Sequence, residues 1–77
     1  MSINVKFFAS LRESIGLDHC SLPATNIHNA ADAWRAATEG KQLPPSTLIA
    51  INMEYANAGH PVKDGDEVAF FPPVTGG

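Results

Sequence analysis

The most constraining stretch of this chain is Glu67-Val68-Ala69-Phe70-Phe71, a strand-like run that leads straight into Pro72-Pro73. Its apolar and aromatic side chains suit a pleated, half-buried surface. The Asp64-Gly65-Asp66 ahead of it is a strong turn signal. Proline fixes φ and has no N–H, so two in succession end strand pairing and stiffen the root of the segment beyond them. That segment, Val74-Thr75-Gly76-Gly77, has neither helical nor strand periodicity. The residues past Pro72, fully extended, reach roughly 16 Å at about 3.3 Å per residue. Glycine has no Cβ, so a Gly-Gly tip can lie in a channel too narrow for other residues. The expected organisation is one folded domain over residues 1–71 and an extended tail over 72–77, ending in a bare carboxylate. Chain ends that are merely frayed are also often glycine-rich. A strand running into a stiff root is what sets this end apart.

The other elements are read from periodicity. Ile3-Asn4-Val5-Lys6-Phe7-Phe8-Ala9 alternates at period two, with Ile3, Val5 and Phe7 on one face and Asn4, Lys6 and Phe8 on the other. Phe8 is a large apolar residue on a polar side: either another segment covers it or a partner does. Ser10-Leu11-Arg12-Glu13 fits a capping box with Ser10 as N-cap, which predicts a helical turn over Ser10–Ile15 ended by Gly16. Arg12 faces solvent on that turn. His19-Cys20-Ser21-Leu22, closed by Pro23, reads as a strand returning antiparallel to the first. Asn29 is a good N-cap for the main helix, Ala30, Ala33, Trp34 and Ala37 make its apolar face, and Gly40 is expected to stop it. Thr47–Asn52 reads as a buried strand and Glu54–Ala56 as a short one.

Strand, strand, helix, strand, small strand, strand suggests an α+β fold of the ubiquitin-like β-grasp kind, a mixed sheet with one main helix packed on one face. First and last strands then lie side by side. Phe8 and Phe71 share the face away from the helix, with Ala69 beside them and Tyr55 extending the patch. Such an apolar patch at the base of a tail marks a protein interface.

Composition excludes several classes. The net charge is −3 with no basic run, which argues against nucleic acid and anionic membrane as partners. No apolar stretch approaches the ~20 residues of a membrane span. Residues 1–4 lack the basic and apolar regions of a signal peptide, so a cytoplasmic location is expected. A single cysteine makes no internal disulfide, and Cys20 has no companion to activate it. His19, His28 and His60 lack metal-ligand spacing, so no metal site is expected.

His60-Pro61-Val62-Lys63-Asp64-Gly65-Asp66-Glu67-Val68-Ala69-Phe70-Phe71-Pro72-Pro73-Val74-Thr75-Gly76-Gly77 resembles the C-terminal signature of the molybdopterin synthase small subunits, the MoaD family of sulfur carriers. Val5 to Gly16 resembles that family's opening, while the connection after the main helix is short for it. The resemblance implies a mechanism. A ubiquitin-activating-like adenylyltransferase uses ATP to convert the Gly77 carboxylate to an acyl-adenylate. A persulfide donor then supplies sulfur, leaving a Gly77 thiocarboxylate. The large synthase subunit receives the tail and passes the sulfur to cyclic pyranopterin monophosphate, building the molybdopterin dithiolene with two sulfurs per product. The family further implies a heterotetramer of two small–large pairs. The chain itself binds no cofactor and supplies the reagent, while acid, base and substrate-binding groups belong to the partner.

On this reading Gly77 is the site of chemistry and Gly76 a steric gate. Pro72, Pro73, Val74 and Thr75 thread the tail; Phe8, Phe71, Tyr55 and Arg12 dock the body. Three alternatives stay open at this point. One is a sulfur carrier for thiamin thiazole or tRNA thiolation. Another is a ubiquitin-like modifier joined through Gly77 to lysine. The third is a β-grasp binding module with an inert tail.

Overall fold

A computed structural model describes residues 2–73. The chain runs β1 (Ser2–Phe7), α1 (Ala9–Ile15), β2 (His19–Pro23), α2 (Ala30–Ala37), β3 (Leu48–Ile51), β4 (Glu54–Ala56) and β5 (Glu67–Phe71). The five strands form one mixed sheet in the order β2-β1-β5-β3-β4. The first and last strands pair in parallel at its centre, with Val5 opposite Val68 and Phe7 opposite Phe70. All other strand pairs are antiparallel. This is the α+β, β-grasp-like arrangement expected from the element order.

The helix-side face of the sheet forms the core. Ile3, Val5 and Phe7 of β1 and Val68 and Phe70 of β5 are almost wholly buried, as period two requires. Against them lies α2, whose Ala30, Ala33 and Trp34 are buried. Small alanines let the helix approach, and the indole fills the remaining space: Trp34 meets Phe7 and Phe70 edge-on at ring centroids 5.7 and 5.0 Å apart. Its Nε1–H donates to the Lys41 carbonyl at 3.0 Å, which ties down the connection after the helix. Asn29 caps the helix as its residue type predicts, its Oδ1 accepting from the Asp32 N–H at 2.8 Å. The regular helix ends at Ala37, ahead of Gly40. Thr38 closes it, with both its N–H and its hydroxyl donating to the Trp34 carbonyl.

Helix α1 departs from the expected start. Ser10 is not its N-cap: the helix already includes Ala9, the N-cap is Phe8, and no side chain caps it. The polar capping box is replaced by a backbone corner. Ala9 takes the left-handed conformation with φ +53°, which costs a non-glycine residue about 1 kcal/mol. Leu11 buries and Ile15 leans on the core, and Gly16 ends the helix at φ +85° with its N–H on the Arg12 carbonyl.

At the opposite end of the sheet, Asn52 and Met53 make the β3–β4 turn with φ values of +51° and +71°. Two positive values are what a two-residue type I′ hairpin turn requires, although glycine usually fills the second position. Asn52 Nδ2 donates to Asp66 Oδ1 at 2.9 Å, and Asn52 Oδ1 accepts from the Glu67 N–H at 3.0 Å. The Lys63 N–H donates to Asp66 Oδ2 at 2.9 Å. This network fastens the turn to the start of β5.

Candidate functional site

The face of the sheet away from α2 carries the side chains that alternate with the core. Lys6, Ala69, Ala50 and Tyr55 lie in one line across β1, β5, β3 and β4 by register. One residue pair further toward the tail, Phe71 lies opposite Leu48. Just past the end of β1, the Phe8 N–H donates to the Phe70 carbonyl at 3.1 Å, extending the β1–β5 ladder by one bond. The rings of Phe8 and Phe71 therefore meet on this face, stacked at 4.7 Å with planes 9° apart. Phe8 keeps 39% of its surface exposed, and Phe71 is half-buried. Phe8 is thus one of the exposed large hydrophobic residues among those described.

The pair lies where β5 ends. Phe71 is the last residue of β5, followed by half-buried Pro72 and exposed Pro73. Pro72 cannot donate to a neighbouring strand, so the ladder stops there. The residues assigned to sulfur chemistry and threading, Val74, Thr75, Gly76 and Gly77, lie outside the described residues.

The other docking candidates divide. Arg12 is exposed on α1 and lines, with Phe8, Lys6 and His19, a shallow hollow of about 240 Å³ beside the ring pair. Lys6 itself is held by Glu67 at 3.1 Å across the central strand pair. Tyr55 reaches the open face from the edge strand with 79% of its surface exposed, but its strand is separated from β1 by β5 and β3. Ala69 differs from expectation. It is buried, as is Ala50 beside it, so the two alanines form a low floor between the ring pair and Tyr55. The residue that sequence reasoning missed is Ala9. Its left-handed backbone is invisible to a propensity argument because alanine signals helix.

Elsewhere the chemistry is quiet. Among the described residues no group of His, Cys, Asp and Glu could hold a metal ion. Burial pushes the half-buried Cys20 thiol up, which makes it a poorer nucleophile. A hollow of about 370 Å³ lined by Asn52, Tyr55, His60 and Lys63 sits at the pole opposite the tail root. Among the described residues no helix is long and apolar enough to cross a membrane.

The ThiS family model matches residues 5–77, from the first strand through the final glycine. The chain belongs to the ThiS family. This ThiS-family chain is 44% identical to the molybdopterin synthase sulfur carrier subunit of Escherichia coli (strain K12), across 97% of its own length and 99% of that protein's. The crystal structure of SAMP1 from Haloferax volcanii matches with a TM-score of 0.77 and 29% identity, covering both chains completely. A complex of subunits 1 and 2 of the molybdopterin-converting factor from Helicobacter pylori contains a chain that matches with a TM-score of 0.65 and 27% identity, again over the full length of both.

Proposed function

We propose that this chain is the sulfur-carrier subunit of a molybdopterin synthase, working through a thiocarboxylate at Gly77. The observation that carries the reading is the stacked Phe8–Phe71 pair, left open beside the point where β5 gives way to Pro72-Pro73. An exposed aromatic pair beside a stiff-rooted arm suits a body that docks while the arm enters a partner's site. The sequence relationship to named sulfur carrier subunits supports the choice of chemistry.

Each step balances. A carboxylate is a poor acyl donor because its leaving group is oxide. An adenylyltransferase joins the Gly77 carboxylate to AMP from ATP and releases pyrophosphate, giving an acyl-adenylate. A persulfide sulfur attacks the acyl carbon and AMP leaves. Reduction of the resulting acyl disulfide by a thiol frees the thiocarboxylate. The large subunit then binds body and tail, and the sulfur moves to cyclic pyranopterin monophosphate while water returns Gly77 to a carboxylate. Two loaded carriers serve each dithiolene. A closed partner site keeps water from hydrolysing the loaded end too early. A Cβ at position 76 would obstruct a narrow channel, which gives Gly76 its role. Val74 and Thr75 position the tail, Phe8 and Phe71 form the centre of the docking surface, and Arg12 and Tyr55 sit at its rim. ATP and a thiol-based sulfur source both belong to the cytoplasm, where this chemistry is placed.

The test is intact mass after incubation with ATP, the activating enzyme and a sulfur source. Exchange of oxygen for sulfur at Gly77 is expected, and Gly76→Ala is expected to fold normally yet fail in transfer to the large subunit. Full synthase activity of that variant would refute the tail mechanism. A second reading, conjugation of Gly77 to lysine as a protein modifier, is favoured only by the likeness to small archaeal modifier protein structures. Stable lysine conjugates without any thiocarboxylate would decide for it.

A further inference from the structure

We propose that Ala9 is a positioning residue whose left-handed backbone holds the Phe8 ring on Phe71 at the root of the tail. Its consequence for docking rests on the function proposed above; its effect on the ring pair does not.

Two anchors lie three residues apart. Phe8 is extended, with φ −123° and ψ 153°, and its N–H is bonded to the Phe70 carbonyl. Leu11 is buried in the core on the helix side. The chain must therefore leave the sheet immediately after Phe8 and turn Leu11 inward. The Leu11 N–H donates to the Phe8 carbonyl at 3.2 Å, so the reversal is complete within those residues. The corner is made at Ala9, at φ +53°. An extended residue there would carry β1 onward and lift Leu11 from its seat. A helix begun later, at Ser10, would release the Phe8 carbonyl from the Leu11 N–H.

Nothing about the alanine side chain itself calls for this conformation, since Ala9 is exposed. Glycines take positive φ values at positions 16, 40 and 65, and Asn26, Glu39, Asn52 and Met53 share them with Ala9. Strain at a non-glycine residue persists where surrounding contacts over-determine it, and here they are the Phe70 bond, the Leu11 burial and the ring stack. The pleat of β1 sends Phe8 to the open face, and the corner at Ala9 fixes it there against Phe71. Phe8 in turn holds Phe71, the residue before Pro72.

The experiment uses the full chain and the large synthase subunit. Stacked rings shift each other's proton resonances upfield, so proton NMR reads the Phe8–Phe71 pair without any partner. A β-branched residue resists the left-handed region. Ala9→Val is therefore expected to erase the upfield shifts and to weaken large-subunit binding about tenfold, near the upper worth of one aromatic pair. Combined with Phe8→Ala, Ala9→Val should add no further loss of binding, as a residue acting through Phe8 requires. Ala9→Gly should keep both the shifts and the affinity and raise Tm by roughly 2–5 °C as strain is relieved. Preserved ring shifts in Ala9→Val, or a lowered Tm in Ala9→Gly, would overturn the proposal. An equal loss of binding from Ala9→Val with and without Phe8 would do so as well. The glycine variant keeps the test decisive should the valine variant not fold. If Phe8→Ala leaves binding unchanged while Ala9→Val still erases the shifts, the docking reading fails and the positioning role stands.

Discussion

Two pairs of phenylalanines, adjacent in sequence, have opposite fates. Phe7 and Phe70 face α2, are 1% and 0% exposed, and stack at 5.8 Å beneath Trp34. Phe8 and Phe71, one residue further along the same two strands, stack at 4.7 Å on the open face. The side chains are chemically identical. The pleat separates them, sending one pair into the core and the other to the surface. The inner pair holds the sheet on its helix. The outer pair leaves part of its surface exposed, Phe8 more than Phe71.

Substitution can break this contrast. The largest effect is expected at Phe70→Ala, which should cost about 3–5 kcal/mol of stability because it opens a cavity under Trp34. Urea denaturation measures it, and a loss below about 1 kcal/mol would erase the difference between the pairs. Phe71→Ala should lower stability by only about 1 kcal/mol, the scale of an exposed aromatic contact, while weakening large-subunit binding tenfold or more. A calorimetric titration that finds binding intact would remove the outer pair from the interface. A smaller effect belongs to Asp66, at the far end of the strand that carries Phe71. The Asn52 amide, and after it the Lys63 N–H, hold its carboxyl below the usual value of 3.8. A lowered folded-state pKa gives stability that is present above pH 3.8 and is lost as pH falls through the lowered value. The stability difference between wild type and Asp66→Asn should accordingly narrow below about pH 4, without any change in the Phe8–Phe71 stack. A difference independent of pH would mean that the carboxylate charge plays no part.

Much of this fold is written in short-range pattern. Alternation alone places Ile3, Val5 and Phe7 inside and Phe8 outside, and the turn at Asp64-Gly65-Asp66 sets the start of β5. Asn29 announces the main helix because its side chain does the capping locally. The start of α1 is not legible for the opposite reason. Ser10 and Glu13 match a capping box, yet the pull on that corner comes from Phe70, near the other end of the chain, and from the seat of Leu11. The Asn52-Met53 turn is similar, since Asp66 and Glu67 hold Asn52 across a gap that no local rule sees. In the candidate site, the sharing of one face by Phe8 and Phe71 is a consequence of period two. That Ala69 forms a buried floor depends on how its neighbours settle around it, which sequence does not state.

The parallel pairing of β1 with β5 has a consequence for synthesis. The ribosome delivers β1 first and β5 last among the described strands, yet β5 is the strand that joins the β2-β1 hairpin to the β3-β4 hairpin. Until it emerges, the two halves have no common strand, and isolated two-stranded hairpins are marginal in water. Closure of such distant segments comes late in folding. A prematurely terminated chain thus lacks the keystone of its own sheet. Folding competence is therefore acquired only with the last described strand, the one that also carries Phe71, so a chain cut short before it has neither a complete sheet nor the Phe8–Phe71 stack.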